Sequence, residues 1–250
     1  MTLADFTLRH PYRSSFLFFL IVVFVVLALG LLNLLVPMGS LVQLATEDIV
    51  LAGIGILILA RLGWWGRAGY TTGIRPAHVP LLILPAAVAL LSLGGGVRVT
   101  APVALLMFAA LTLLVGFAEE TFFRGLILST LLPEGTVRAA VLSSFLFAAP
   151  HLLNIIGGLW DPAFTVVDAF AAFGIGTTFA AIRVRTGSIW PLVGLHALVD
   201  FCSLVSLGGI DVRAQSLQSL LTTAFFGIVF VAYGLILLRG RRDGTISGRI

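Results

Sequence analysis

Two adjacent glutamates and an arginine, Glu119, Glu120 and Arg124, lie inside an apolar stretch that covers about residues 101–132. An ionised group at the centre of a bilayer costs at least ~2.5–3.5 kcal/mol, so these three charges need a structural or chemical reason. Glu120 and Arg124 stand at i and i+4 and can pair on one helix face, where they either lock two helices or support a reaction. Glu119 points about 100° away from its neighbour and is the candidate base.

Two histidines, His151 and His196, fall within other apolar segments, whereas the remaining two lie in polar connections. His196 and Asp200 stand at i and i+4, which puts the imidazole and the carboxylate on one helix face. At 1.5 Å per residue, Glu119, His151 and His196 fall within about a 10 Å slab of the membrane. The spacing therefore allows these groups to meet on three different helices.

The composition predicts the elements that position these residues. Hydrophobic residues make up 59% of the 250-residue chain and charged residues 10%, against roughly 25% charged residues in soluble proteins. We predict an all-α integral membrane protein, because about eight segments approach the roughly 20 apolar residues that cross a bilayer. These segments are 16–36, 47–64, 79–94, 101–131, 137–153, 163–182, 188–207 and 216–238.

The arginines test this count, because short cytoplasmic loops collect basic residues. All 15 basic residues are arginine, and outside the membrane only Arg98 and Arg213 fall in outer loops when the N-terminus is inside. We predict a polytopic bundle of about eight transmembrane helices with cytoplasmic N- and C-termini, in a cell membrane and specifically a bacterial cytoplasmic membrane. The basic charge is loop charge and does not indicate nucleic-acid binding. The single cysteine, Cys202, excludes an intramolecular disulfide.

Three short patterns occur in order along successive predicted helices. They are Glu-Glu-x-x-x-Arg from Glu119, Phe-x-x-x-His ending at His151, and His-x-x-x-Asp from His196. Together they resemble the CAAX protease and bacteriocin-processing family, also called the Abi family, of intramembrane metalloproteases. The third pattern ends in Asp200, where the eukaryotic prenyl-protein members usually carry Asn.

The resemblance covers about residues 101–206 and divides the chain into three predicted parts. Residues 1–100 form N-terminal transmembrane helices without a motif, residues 101–206 form the catalytic core, and residues 207–250 form the last transmembrane helix and a basic cytoplasmic tail. The family implies an intramembrane endopeptidase that acts on a membrane-associated peptide or membrane protein, prenylated or not. Its implied catalytic residues are Glu119, Glu120, Arg124, His151, His196 and Asp200.

In this reading Glu119 activates a water molecule, and two versions of the chemistry stay open. In the first, His151 and His196, with Asp200 or Glu119, hold a divalent metal such as zinc, which lowers the pKa of its bound water toward ~7. In the second, Glu119 and one histidine deprotonate the water without a metal, while His196 and Asp200 stabilise the oxyanion. The oligomeric state is left open by the sequence.

The alternative from another class is a non-catalytic membrane protein, either a bacteriocin-immunity protein or a proton-coupled carrier. Intramembrane carboxylates and histidines also mark proton pathways, but the inverted repeats typical of many carriers are not evident. The chain lacks the His-Glu-x-x-His, Gly-x-Gly-Asp and Gly-x-Ser-x-Gly patterns of other intramembrane proteases. We expect Asp168 to lie outside the site, near an outer arginine, and Pro150 to kink the helix that carries His151.

Overall fold

The computed structural model describes residues 2–155, 161–209 and 216–239. Within these ranges the chain is helical and has no β-strand, which confirms the all-α prediction. The α-helices are α1 (Leu3–Arg9), α2 (Pro11–Leu35), α3 (Ser40–Leu62), α4 (Pro80–Leu91), α5 (Pro102–Glu120), α6 (Leu128–Leu131), α7 (Thr136–Ala148), α8 (Pro162–Thr186), α9 (Trp190–Leu207) and α10 (Leu217–Leu238).

Seven helical segments of the described residues are long and apolar enough to cross a membrane, one fewer than the predicted eight. The segment that falls short is the predicted span 79–94, which forms a shorter apolar helix at Pro80–Gly95. Its twelve α-helical and four 3-10 residues extend only ~26 Å, less than the ~30 Å hydrocarbon core. Polytopic membrane architecture is confirmed, with this one segment shorter than expected.

The chain from Gly69 to Ser92, which includes the short helix α4, nevertheless reaches both ends of α9. Before α4, the carbonyl of Gly69 accepts a hydrogen bond from the N–H of Ile189, just ahead of α9 (3.2 Å). After α4, the carbonyl of Ser92 accepts a hydrogen bond from the hydroxyl of Ser206, at the last turn of α9 (2.9 Å). The chain between these contacts thus passes from one end of a spanning helix to the other.

Several arginine-bearing connections meet at one end of the bundle. Arg67 donates to the carbonyl of Ser129 (3.0 Å), and Arg183 donates to the carbonyl of Arg67 (2.7 Å). Arg185 donates to the carbonyl of Leu237 near the end of α10 (2.7 Å). This grouping agrees with the predicted alternation of basic and non-basic loops. The cytoplasmic location of that end stays a prediction, and Arg213, Arg241, Arg242 and Arg249 lie outside the described residues.

The predicted span 101–131 is not a uniform helix. Helix α5 ends at Glu120 and continues as a π-helix over Thr121–Ile127, all of which is buried, before α6 begins. The hydroxyl of Tyr70, in the connection between α3 and α4, contacts the hydroxyl of Thr121 at the first π-helical residue. Burial raises the pKa of Tyr70 to about 12, so its hydroxyl stays protonated at neutral pH. π-Helical turns are rare and often occur at functional sites.

The segment that carries His151 also changes its helix type. Helix α7 ends at Ala148, and residues Ala149–Ile155 form a 3-10 helix. Pro150 lies at this transition. The α-helix ends here because proline lacks a backbone N–H donor and its ring crowds the preceding turn of an α-helix. The predicted disturbance at Pro150 is therefore a change to 3-10 geometry, and His151 follows it directly.

Candidate active site

Helices α5 and α9 pack closely at Gly116, one turn before the two glutamates. A Cβ atom at Gly116 would lie 2.8 Å from the carbonyl oxygen of Val193 and 3.2 Å from Cβ of His196. A small residue here allows the two helices to approach, as is common in membrane bundles. His196 is thereby brought beside Glu119 and Glu120, which follow Gly116 by three and four residues along the helix.

Glu120 and Arg124 form the predicted ion pair in the interior of the bundle. Nη1 of Arg124 lies 2.9 Å from Oε1 of Glu120, and both side chains are buried. The guanidinium carbon of Arg124 lies 4.2 Å from the centroid of the Phe147 ring and 5.6 Å from that of Phe179. Aromatic faces attract a desolvated cation. The pair is enclosed by protein, so it supports its neighbours and does not face a substrate.

His196 connects this pair to two further carboxylates. Its Nδ1 lies 2.8 Å from Oε1 of Glu120, while its Nε2 lies 3.7 Å from Oε2 of Glu119 and 3.5 Å from Oδ2 of Asp200. Because Glu120 is paired with Arg124, we assign its oxygen as the acceptor and Nδ1 as the donor. The nitrogen Nε2 is then the one that faces Glu119 and Asp200. The structure thus brings together five of the six predicted catalytic residues.

The sixth predicted residue, His151, is held by a carboxylate that the sequence analysis left outside the site. Nδ1 of His151 lies 3.0 Å from Oδ2 of Asp168 on α8. The expectation for Asp168 was wrong because α8 packs against the 3-10 segment that carries His151. This contact joins residues 17 positions apart, and no spacing rule for a single helix could have predicted it.

A cavity of about 70 Å³ places His151 and Glu119 in one space. Its polar lining consists of these two side chains together with Glu47 and Asp48 of α3, and the rest of its wall is apolar. About 30% of the Glu119 side chain is exposed, whereas Glu120 is fully buried. Glu119 is therefore the glutamate that water or a substrate can reach.

Glu47 and Asp48 were not among the predicted site residues. The predicted second span began at residue 47, which put both acids at a membrane boundary where charge is ordinary. The helix begins seven residues earlier, at Ser40, so Glu47 and Asp48 lie inside a spanning segment. Acidic residues within an apolar helix were the signal that identified Glu119, and a correct helix start would have applied it here.

The predicted metal ligands His151, His196 and Asp200 are not arranged as a metal site. Among the residues that the structure describes, no three His, Cys, Asp or Glu side chains converge in a way that could hold a metal ion. Zinc requires nitrogen and oxygen donors at ~2.0–2.2 Å from one point. The donor set does not fit zinc in this arrangement, and the metal version and the metal-free version of the chemistry both stay predictions.

Comparison with known proteins supports the resemblance drawn from the three motifs. Residues 101–202 match the family model described as type II CAAX prenyl endopeptidase Rce1-like. The matched range contains all six predicted catalytic residues. No curated protein matches the chain.

Proposed function

Because residues 101–202 are Rce1-like and lie in a polytopic membrane bundle, we propose that the protein is an intramembrane endopeptidase that uses Glu119 to activate water. Its substrate is a membrane-associated peptide or a segment of a membrane protein. The observation that carries the proposal is the different surroundings of the two adjacent glutamates. Glu120 is bound by Arg124 and His196, while Glu119 faces a cavity.

In this reaction Glu119 accepts a proton from a water molecule as the water oxygen attacks the carbonyl carbon of the scissile bond. General-base help of this kind contributes about 10²–10⁴-fold to a rate. Glu119 then delivers the proton to the departing amine nitrogen as the C–N bond breaks. His151 lines the same cavity and is suited to orient the water, while Asp168 holds its ring.

The negative charge that develops on the carbonyl oxygen needs donors at a fixed position. A protonated His196 can donate from Nε2 while its Nδ1 stays on Glu120, because both ring nitrogens of an imidazolium are donors. Asp200 lies beside the same nitrogen and can donate when it carries a proton. Glu120 and Arg124 are positioning residues, because Glu120 holds His196, Arg124 holds Glu120, and neither of them lines the cavity.

The test is hydrolysis of quenched-fluorescent peptides by the purified protein in detergent and in liposomes, with products analysed by mass spectrometry in H₂¹⁸O. Direct attack by water predicts one ¹⁸O atom in the new carboxylate of a product formed in a single turnover. Wild-type cleavage that disappears in Glu119→Gln supports the proposal. Equal cleavage by both proteins would overturn the role of Glu119.

A further inference from the structure

Helix α3 contributes two acidic residues to the cavity, and one of them, Asp48, has a carboxylate oxygen without a hydrogen-bond partner among the described residues. Asp48 is only 2% exposed, and its Oδ2 has no hydrogen-bond partner within the described ranges. Both Asp48 and Glu47 line the cavity that contains Glu119 and His151. A buried carboxylate without a partner is costly, so its position calls for a group that enters from the cavity.

The basic groups of this region are already engaged. Arg124 is paired with Glu120, and the ring of His151 is held by Asp168. The cavity lining itself contains three carboxylates and one histidine. The charge that the lining lacks is therefore positive.

The position of α3 is built into the fold. A Cβ atom at Gly55 would lie 2.8 Å from Cγ2 of Thr121, so glycine allows α3 to pack against the start of the π-helix. In the first turn of α3, Gln43 donates to Oε1 of Glu47 (2.9 Å) and accepts from Asn33 of α2 (2.7 Å). These contacts fix the two acids against the cavity.

We propose that Asp48, assisted by Glu47, is a specificity-determining residue that binds the basic side chain of a lysine or arginine close to the scissile bond. This inference rests on the proposed peptidase function. The cavity suits such a side chain, because Val22 and Leu51 provide an apolar wall for its aliphatic stem and the carboxylates receive its cationic head. No three donors of the described residues form a metal site, which favours an organic cation over a metal ion here.

The test uses pairs of N-acetylated peptides that differ only by lysine or norleucine at each position around the cleaved bond. Hydrogen bonds to charged groups correspond to about a 10- to 100-fold preference in kcat/KM for the lysine peptide by the wild type. Asp48→Asn, which keeps the shape of the side chain, should remove that preference. Asp161→Asn is the matched control, because Asp161 caps α8 outside the cavity and asparagine caps as well.

Three results would overturn the inference. The first is a wild type with no lysine preference, and the second is a preference that Asp48→Asn keeps. Unblocked peptides identify a third: a preference seen only with an unacetylated N-terminus would assign the cation to the α-ammonium group and not to a side chain.

A binding measurement separates this inference from the peptidase proposal. The same peptide pairs are titrated into the wild type and Asp48→Asn by fluorescence anisotropy, and thermal unfolding confirms that both are folded. Lysine-selective binding that depends on Asp48 supports the cation site even if no peptide is cleaved, in which case only the peptidase proposal fails. Cleavage without lysine-selective binding would overturn the cation site and leave the peptidase proposal intact.

Discussion

Glu119 and Glu120 are neighbours in the chain, yet both contact His196 through different ring nitrogens. Oε1 of Glu120 lies 2.8 Å from Nδ1, and Oε2 of Glu119 lies 3.7 Å from Nε2. One glutamate is fully buried with an arginine, and the other is partly exposed in a cavity. One step along the helix, a rotation of about 100°, therefore separates a positioning carboxylate from a candidate catalytic one.

The buried ion pair predicts a specific pattern of stability. Glu120→Gln leaves the Arg124 guanidinium buried without its counter-charge, which should lower the free energy of unfolding by about 3–5 kcal/mol. Combining it with Arg124→Met removes the orphaned charge and should restore much of that loss. Denaturant unfolding in detergent measures both variants. A double variant as unstable as Glu120→Gln alone would show that the pair is not the source of the effect.

The close approach at Gly116 predicts sensitivity to a single methyl group. Gly116→Ala places a Cβ atom against the backbone of Val193, and overpacking of this kind costs about 1–3 kcal/mol. The resulting shift of α9 moves His196 away from the glutamates, so peptide hydrolysis should fall while the protein still inserts into the membrane. Gly194→Ala is the matched control on α9, because its added Cβ meets open space. Equal activity of the two variants would contradict a positioning role for Gly116.

Hydropathy predicted most of the membrane helices, because a helix that crosses the hydrocarbon core needs a long apolar segment. Hydropathy could not predict the π-helix over Thr121–Ile127 or the 3-10 segment after Ala148. Both depend on packing between helices: the π-helix is buried against neighbouring elements, and the 3-10 segment packs on α8. Apolar composition alone does not distinguish these three helix types.

The candidate site was predictable where its residues share a helix or a motif. The Glu120–Arg124 pair follows from i,i+4 spacing, and His196 was identified by its position within an apolar segment. The contact between His151 and Asp168 joins two segments through tertiary packing, which spacing does not encode. Asp48 was missed for a different reason, since the start of α3 was placed too late.

The Asp168 contact predicts a measurable effect on turnover. Asp168→Asn weakens the hydrogen bond that holds the His151 ring, and bonds of this charged type correspond to about 10- to 100-fold. We expect kcat to fall by that factor with little change in KM, because Asp168 orients a catalytic group and does not line the cavity. Asp161→Asn should keep wild-type kinetics. A change confined to KM would argue for substrate binding.

The donor arrangement predicts that hydrolysis survives removal of divalent metals. Because no three donors of the described residues converge on one point, activity should persist after dialysis against a strong chelator, with less than one bound metal per chain by elemental analysis. Loss of activity on chelation, with recovery on adding zinc, would support the metal version of the chemistry instead. His151→Ala then tests whether the bound metal depends on a predicted ligand.

The role of Glu119 as the base is tested by the kcat/KM of Glu119→Gln on a peptide that the wild type cleaves. The substitution keeps the shape of the side chain and removes the base, so kcat/KM should fall by about 10²–10⁴-fold while thermal unfolding stays close to that of the wild type. Glu134→Gln, at the far end of the same membrane segment, should retain full activity. A folded Glu119→Gln variant with wild-type turnover would contradict the account and favour a non-catalytic membrane protein.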